Sequence, residues 1–334
     1  MGDAPASPKI SIVIEGYNES KDQGVADDTI LALTAQEHPL DRVELVLVGS
    51  TEQAAAWAQR FADPAPFALV TAVAAEGESY YGLKNRGAQV ARGEIIVFTD
   101  SDVRPTPTWL GAIVEAMDAG ADVAVGVSLF KDARDWNAKS LWRWMAVSIT
   151  FGYILGPIRD GALPWPEVTV RGFMDHNVAI RAAWFKTDQY QTEFGRVIAS
   201  PLLFRTLKQA GARIVLHPKQ RIVHYFKWPY WLHKLHFRYG YEVYRLRRLD
   251  PQYPAQWIAR TGPLEPLVTW VWHVLLDAPR WLRFSRLMGM PAPLRILTLP
   301  AAMVLSVIAR SAEMFGMIAT MIAPERMRRW AESV

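Results

Sequence analysis

Residues 94–105 read EIIVFTDSDVRP, an apolar run that ends in two aspartates, Asp100 and Asp102, on either side of Ser101. The run is typical of a buried strand, and the aspartates form a polar turn at its carboxyl end. In extended geometry, side chains two residues apart point the same way, so both carboxylates can share one face. Two such oxygen donors suit Mg²⁺ or Mn²⁺, with phosphates and water completing the coordination. The turn alone also allows a simple Asx turn in which the aspartates cap the next helix.

Strands and helices alternate on both sides of this turn. Apolar β-branched runs predict strands at 9–14, 43–48, 67–73, 94–99 and about 122–127. The intervening segments predict helices at 24–36, 51–61, 79–91 and about 107–118. This order indicates βαβ units and a mostly parallel sheet, in which ligands bind beyond the carboxyl ends of the strands. Those ends are the polar turns 15–19, 49–51 and 100–104.

The second part of the chain has a different composition. Residues 136–155 are rich in aromatic side chains and are consistent with a helix, and 167–181 and 213–224 contain strand-like runs. Residues 225–248 interleave rings with basic side chains at helical spacing, which suits a helix lying in a membrane interface. Nucleic acid is not expected as a partner, because no RNA-binding signature accompanies this pattern. Packing against the α/β domain is the alternative for these rings.

Two apolar segments, 264–282 and 293–323, follow and are interrupted by charges. The longest uncharged stretch of the second, 296–309, is shorter than the roughly 18–20 apolar residues that a bilayer span needs. We therefore predict amphipathic or re-entrant helices on the cytoplasmic face of a membrane, with a bundle of buried helices as the alternative. The polar residues 1–8 predict that no signal peptide is present.

Charge and cysteine content narrow the possible partners. Residues 1–135 have 10 Lys or Arg against 21 Asp or Glu, whereas residues 136–334 have 27 against 12. A basic, aromatic-rich half indicates an anionic partner such as a membrane surface. The chain has no cysteine, which excludes disulfides and thiolate zinc sites.

Four sequence blocks together resemble the family-2 glycosyltransferases of the GT-A fold. The blocks are SIVIEGYNE at 11–19, KNRG at 84–87 with ARGEIIVFTDSDVRP at 91–105, GFMDHNVAIR at 172–181, and PKQRIVH at 218–224. The resemblance implies an α/β, Rossmann-like GT-A domain over residues 1–224, with a donor half to about residue 135 and an acceptor half at about 136–224. The aromatic, basic and apolar region at 225–334 would be helical and membrane-associated.

The resemblance also implies roles for single residues. The residues expected around the nucleotide-sugar donor are Glu15, Tyr17, Glu19, Lys84, Arg86, Asp100 and Ser101. Asp102 would bind the metal, Mn²⁺ or Mg²⁺, with Asp100 and His224 as further ligands, although a buried core histidine is an equal alternative for His224. Asn177 and Arg181 would lie on the acceptor side.

Two features depart from the family pattern. The second strand ends in Val48-Gly49-Ser50-Thr51 where the family has an aspartate that contacts the base, so base recognition is altered. Ala199-Ser200 stand where inverting members have a Glu-Asp pair, although inverting transfer needs a base within reach of the acceptor hydroxyl. The candidate bases are Glu193, which we prefer and which a shifted helix register would bring in, and Asp175, which would serve in a rebuilt site.

The predicted activity is metal-dependent, inverting transfer of a sugar from a nucleotide-diphosphate sugar to a lipid-linked or membrane-presented acceptor. A nucleotidyltransferase of related architecture is one alternative, although residues 15–18 are not the Gly-rich phosphate loop that such enzymes normally have. A catalytically silent lipid- or glycan-binding scaffold is the other, because Ala199-Ser200 supply no base.

Overall fold

The structure is a computed structural model, and it describes residues 9–17, 25–130, 138–152, 172–224 and 229–333. Glu19, which is predicted on the donor side, lies outside the described residues. The chain divides into two compact units. The first contains the described residues up to Ser128 together with 172–224, and the second contains the others, from Leu129 onward.

The first unit is built on one sheet. Its strands in chain order are β1 (Ile10–Glu15), β2 (Val43–Gly49), β3 (Leu69–Ala74), β4 (Ile95–Asp100), β5 (Val103–Pro105), β6 (Val123–Leu129), β7 (Asn177–Arg181) and β8 (Ile214–His224). Across the sheet of the described residues they lie in the order β3-β2-β1-β4-β7-β6-β8-β5. β1 pairs in parallel with β2 and β4, and β2 pairs in parallel with β3. This half agrees with the predicted parallel sheet.

The other half of the sheet is antiparallel, so the sheet as a whole is mixed. β7 runs antiparallel to both β4 and β6, and β8 runs antiparallel to β5. The prediction of a mostly parallel sheet is therefore correct only for β1 to β4. The physical reason is that the chain enters β7 at the edge where β4 ends, since Asn177 pairs with Thr99.

Helices cover the sheet. Those of the first unit are α1 (Val25–Thr34), α2 (Thr51–Arg60), α3 (Tyr80–Val90), α4 (Trp109–Asp118), α6 (Ala182–Thr187) and α7 (Gly195–Gln209). The intervening helix α5 (Ala138–Phe151) belongs to the second unit. β1, β2, β4 and β6 are buried along their whole lengths. Continuous apolar runs such as these are expected for strands that are covered on both faces.

The described part of the second unit is helical. After α5, a π-helical turn (Tyr230–His236) leads into α8 (Phe237–Leu249), a 3-10 segment (Gln256–Leu264) leads into α9 (Glu265–Leu287), and α10 (Ala292–Leu297), α11 (Leu299–Ile322) and α12 (Pro324–Ser333) follow. The helix predicted over 225–248 corresponds, from residue 229 onward, to the π-helical turn and α8, whereas residues 225–228 lie outside the described residues. The two apolar segments correspond to α9 and to α10 with α11.

Helices α9 and α11 place charged side chains inside the unit. The guanidinium of Arg310 donates to Asp277 at 2.8 and 3.0 Å and to Glu313 at 2.6 Å, and all three side chains are buried. Arg310 also donates to the carbonyl oxygen of Ile149 on α5 at 2.9 Å. The charges that interrupt the apolar segments in the sequence are therefore paired with one another inside the second unit.

Apolar side chains occupy the outer faces of the same two helices. Residues at four- or seven-residue spacing on a helix share one face. The exposed apolar residues at such spacing are Leu267, Val271 and Leu275 on α9, and Val304, Ile308, Phe315 and Ile322 on α11. We call these seven residues the apolar face. By length and composition alone, α11 is the one helix among the described residues that would suffice to cross a membrane, with a mean hydropathy of 1.5 over its most apolar window.

The burial of His236 predicts that the second unit loses stability in mild acid. Neither ring nitrogen has a hydrogen-bond partner among the described residues. Burial, together with the positive charge of Arg310, lowers the pKa of His236 to about 3. As the pH falls below about 6.5, the unfolded chain binds a proton here that the folded chain does not. This group should therefore lower the free energy of unfolding by about 1.4 kcal/mol per pH unit.

Denaturant titrations at several pH values would measure this slope. His236→Phe should make the dependence on pH shallower than in the wild type, because the titrating group is removed. His233→Phe, on the same turn but exposed, is the matched control and should keep the wild-type slope. Identical slopes for the wild type and His236→Phe would contradict the prediction.

Candidate active site

The sheet topology brings several polar segments to one edge. Glu15, the last residue of β1, lies opposite Asp100, the last residue of β4. The loop that precedes β7 reaches the same edge, because β7 begins at Asn177 opposite Thr99. The edge therefore combines the first polar turn of the chain, the acidic turn that follows β4, and the residues just before β7.

A threonine that belongs to none of the sequence motifs, Thr29, fixes the acidic turn. The hydroxyl of Thr29, on α1, lies 2.8 Å from the carbonyl oxygen of Ser101 and 2.5 Å from that of Val103, to which it donates. It thus holds the backbone on both sides of Asp102. The hydroxyl of Ser101 is itself buried, without a hydrogen-bond partner among the described residues. No local signal in the sequence distinguishes Thr29 from other polar residues of α1.

Asp100 is buried and paired. It accepts hydrogen bonds from the ammonium of Lys84 at 2.6 Å and from the hydroxyl of Tyr80 at 2.8 and 2.9 Å. Lys84 is fully buried and also donates to the carbonyl oxygen of Asp175 at 3.0 Å. Lys84, which was expected near the donor phosphates, is thus the internal counter-ion of Asp100, and it connects the acidic turn to the loop before β7.

Asp102 is more exposed than Asp100 and lies beside His224. Residues 101 and 102 form a turn rather than extended chain, so the spacing rule that would put both aspartates on one face does not apply. β5 pairs Val103 with His224, which brings His224 Nε2 to 3.9 Å from Asp102 Oδ2, with each side chain 22% exposed. The structure therefore brings together Asp102 and His224, whereas Asp100 is held by Lys84.

The chemistry of this pair fits a divalent cation. Carboxylate oxygen and imidazole nitrogen both ligate such ions, and two bonds of about 2.1 Å each can span the observed separation. Among the described residues, no group of three or more acidic or histidine side chains could hold a metal ion. The Asp102–His224 pair therefore suits a cation that takes its remaining ligands from a bound diphosphate and water.

Asp175 lies on the other side of Lys84. The hydroxyl of Tyr81 donates to Asp175 Oδ2 at 3.0 Å, and His176 Nδ1 lies 3.7 Å from Asp175 Oδ1. Burial raises the pKa of Asp175, but hydrogen bonding with His176 and the charge of Lys84 outweigh it and hold this pKa well below its usual range. The ring of His176 packs edge-on against that of His224, with centroids 5.2 Å apart. Asp175 is thus ionised at neutral pH, and the contact between the rings of His176 and His224 links it to the Asp102–His224 pair.

Asp175 also lies close to the segment that lacks the expected carboxylates. The hydroxyl of Ser200 donates to the carbonyl oxygen of Phe173 at 3.3 Å. Tyr81, which donates to Asp175, also lies close to Ser200. Asp175 therefore supplies a carboxylate next to the place where Ala199-Ser200 supply none.

The remaining predicted residues have other contacts. Asn177 is buried and hydrogen bonds to side chains and backbone of α4 and β8, and Arg181 donates to two carbonyl oxygens at the end of α4. These contacts are structural, so they do not support the expected acceptor-side roles. Arg86 is exposed and bonds to Gln89 on its own helix. Glu193 is exposed on a 3-10 turn, and none of its described contacts reaches the Asp175 cluster.

The turns after β1 and β2 are joined by a helix cap. Ser50 caps α2 in a capping box with Gln53, and Gln53 Nε2 donates to the carbonyl oxygen of Gly16 at 3.1 Å. The ring of Tyr17 packs edge-on against Tyr80, with centroids 5.9 Å apart. The place where the family has an aspartate is therefore occupied by capping interactions, while Tyr17 lies against a residue that binds Asp100.

Comparisons with known proteins identify the family of the chain. The family model described as glycosyl transferase family 2 matches residues 11–187. A glucosyl-dolichyl phosphate glucuronosyltransferase from Haloferax volcanii is 24% identical over 256 residues, which cover 74% of this chain and 79% of the relative.

Two solved structures have a similar overall fold. The mannosyltransferase PcManGT from Pyrobaculum calidifontis, in complex with GDP-Man and Mn²⁺, aligns with a TM-score of 0.57 and 18% identity over 96% of this chain and 90% of that chain. TarS 1-349 from S. aureus, in complex with UDP, aligns with a TM-score of 0.50 and 16% identity over 94% of this chain and 91% of that chain. At these identities the likeness shows the fold, which is GT-A. Because the family model covers more than half of the sequence, the chain belongs to glycosyl transferase family 2 and is a glycosyltransferase.

Proposed function

We propose that the protein transfers a sugar from a nucleotide-diphosphate donor to a lipid-linked acceptor at a membrane surface. The observation that carries this proposal is the 3.9 Å approach of His224 to Asp102 in the turn after β4. A divalent cation held by this pair, Mn²⁺ or Mg²⁺, would neutralise the diphosphate as it leaves. The fold neighbour from Pyrobaculum calidifontis, solved with GDP-Man and Mn²⁺, supports both the donor class and the metal.

Asp175 is the proposed catalytic base. It is ionised at neutral pH, and Lys84 joins its backbone to Asp100 in the donor half of the site. A carboxylate in this position can take the proton of the acceptor hydroxyl as the hydroxyl oxygen attacks the anomeric carbon and the bond to the diphosphate breaks. This is direct displacement with inversion. The geometry favours Asp175 over Glu193, which is exposed and has no described contact with the cluster.

The second unit is the proposed membrane attachment. Its helices α9 and α11 bury an ion-pair network and expose the apolar face, which is the reverse of a water-soluble bundle. Ionisable side chains of helices in contact with lipid characteristically face the helix bundle. We propose a peripheral position on the cytoplasmic side, with the apolar face in the interface and basic side chains at the headgroups.

The membrane position also supports the acceptor class. The Haloferax volcanii relative is named for a dolichyl phosphate substrate, and a lipid-linked acceptor is presented at the same surface. In this proposal residues 1–224 form the catalytic domain and 225–334 the attachment region, with α5 assigned to the latter because it clusters with the C-terminal helices.

A transfer assay tests the proposal. The purified protein would be incubated with a panel of nucleotide sugars, Mn²⁺ and a membrane lipid extract. We expect metal-dependent release of a nucleoside diphosphate, matched by labelled sugar in the lipid phase. Release of the nucleoside diphosphate without labelled sugar in the lipid phase would contradict the proposal of a lipid acceptor. If no nucleotide sugar is bound or turned over, the alternative of a catalytically silent lipid- or glycan-binding scaffold would explain the protein better.

Asp175→Asn tests the base. The amide keeps the shape of the side chain and can still accept from Tyr81, and the backbone oxygen still accepts from Lys84. The proton acceptor is lost together with its negative charge, so we expect kcat to fall by about 10²–10⁴-fold while donor binding is retained. The control is Glu193→Gln. Its kcat should stay within about twofold of the wild-type value, because in this proposal Glu193 is not the base. Initial rates at saturating donor would measure kcat for both variants. A larger loss of kcat in Glu193→Gln than in Asp175→Asn would identify Glu193 as the base instead.

A further inference from the structure

A cavity of about 400 Å³ lies within the second unit, between the start of α8, the end of α11, and α12. Its size is within the range of about 300–1,000 Å³ that is usual for small-molecule sites. Its walls are apolar and include Phe237, Ile322, Met327 and Trp330. The rings of Phe237 and Trp330 meet edge-on at 5.2 Å and form one continuous wall.

The cavity is continuous with the apolar face. Ile322 lines the cavity and is nevertheless 78% exposed, and it shares one side of α11 with Phe315 and Ile308 at seven-residue spacing. The cavity and the apolar face therefore meet at Ile322.

One cationic side chain, Arg326, lines the cavity. It is exposed, and no described residue forms an ion pair with it. By contrast, Arg328 on the same helix is paired with Glu325 at 3.0 Å. An available guanidinium beside apolar walls suits a ligand that is a hydrocarbon at one end and a phosphate at the other, because guanidinium binds phosphate in a bidentate manner.

We propose that this cavity binds the polyprenyl chain of the lipid-linked acceptor, with Arg326 on the phosphate that joins this chain to the sugar whose hydroxyl is the acceptor. The proposal rests on the proposed function, which it deepens by naming a binding site for the lipid part of the acceptor. Charge complementarity at Arg326, next to the apolar walls, argues for a lipid that carries a phosphate.

Photo-crosslinking tests the site without requiring catalysis. The full-length protein in detergent would be irradiated with farnesyl phosphate that has a diazirine at its terminal isoprene unit, and labelled peptides would be identified by mass spectrometry. We expect labelling of the peptides that contain residues 319–330, and competition by polyprenyl phosphate but not by equal amounts of phosphatidylglycerol or polyprenol.

Two variants and a control make the assignment specific. Arg326→Gln should weaken binding of the probe by about tenfold or more, because a charge-assisted hydrogen bond is lost. Ala323→Trp should block labelling by filling the cavity. Arg329→Gln removes an exposed arginine of the same helix that does not line the cavity, and it should label like the wild type.

The outcomes separate this site from the proposed function. Labelling elsewhere in the chain, or equal labelling of Arg326→Gln and Arg329→Gln, would overturn the cavity assignment even if sugar transfer is observed. Competition by phosphatidylglycerol alone would show that a bilayer lipid, and not the acceptor, occupies the cavity. Specific labelling in a protein without transfer activity would uphold the cavity while the proposed function fails.

Discussion

Asp102→Asn is expected to lower kcat/KM for sugar transfer by about 10³-fold or more, because a metal ion that stabilises leaving-group charge is worth several kcal/mol. Asparagine keeps the size of the side chain and one oxygen atom, but it loses the negative charge that attracts a divalent cation. Asp102 is partly exposed and its backbone is held by Thr29 through the neighbouring carbonyl oxygens. The fold of the turn should therefore survive, and the loss should appear in activity and in metal affinity together.

Asp28→Asn is the matched control for this substitution. Asp28 forms a surface ion pair with Arg104, two residues beyond Asp102, and both side chains are about half exposed. Such pairs contribute about 0–1 kcal/mol, so activity should change less than about threefold. Initial rates over a range of Mn²⁺ concentrations would compare the two variants. A wild-type rate for Asp102→Asn at saturating donor would contradict the assignment of the metal site.

Arg310→Met is expected to lower the free energy of unfolding of the second unit by about 3–5 kcal/mol, because removing one partner leaves buried charges uncompensated. Asp277 and Glu313 both accept from Arg310, and their pKa values are held below the usual range in part by its charge, against the effect of burial. Methionine fills a similar volume but supplies neither charge nor donor. The loss should be largest at neutral pH, where both carboxylates are ionised, and smaller in acid.

Arg328→Met provides a control with the same spacing and a different environment. Arg310–Glu313 and Glu325–Arg328 are both pairs three residues apart, but the second is largely exposed. Its loss should cost less than about 1 kcal/mol. Denaturant titrations followed by circular dichroism would measure both variants. A similar small effect for the two would show that the buried network does not stabilise the helices.

The parallel half of the sheet could be predicted because its signals are local. The apolar runs that form β1, β2 and β4 are each sufficient to specify a strand buried on both faces. The directions of β7 and β8 could not be predicted in this way, since they depend on the edge at which the chain enters the sheet. β5 could not be predicted either, because its three residues are too few to show a strand pattern.

Much of the candidate site depends on long-range pairing. The acidic turn is visible in the sequence, but the burial of Asp100 by Lys84 and Tyr80 is a tertiary contact that no local spacing indicates. His224 was suggested only by family resemblance, and its approach to Asp102 follows from the pairing of β5 with β8. Thr29 and His176 were not identified, because a polar residue on a helix or in a loop has no individual signature.

The second unit shows the same limit. Arg310 and Glu313 are visible in the sequence as interruptions of an apolar segment, which argued against a simple membrane span. Their pairing with Asp277 inside the unit, which leaves the apolar side chains outside, becomes apparent only when α9 and α11 are packed together. Composition therefore indicated an apolar helical region, and tertiary structure showed which side of each helix is polar.

Binding of Mn²⁺ in the presence of nucleoside diphosphates tests the central claim most directly. Electron paramagnetic resonance would follow protein-bound Mn²⁺ for the wild type, Asp102→Asn, His224→Gln and the control Asp28→Asn. We predict that one nucleoside diphosphate of a panel creates a tight Mn²⁺ site in the wild type and in Asp28→Asn. This site should be lost in Asp102→Asn and weakened in His224→Gln. Equal Mn²⁺ binding by all four proteins would contradict the proposal that Asp102 and His224 hold the metal of the donor diphosphate.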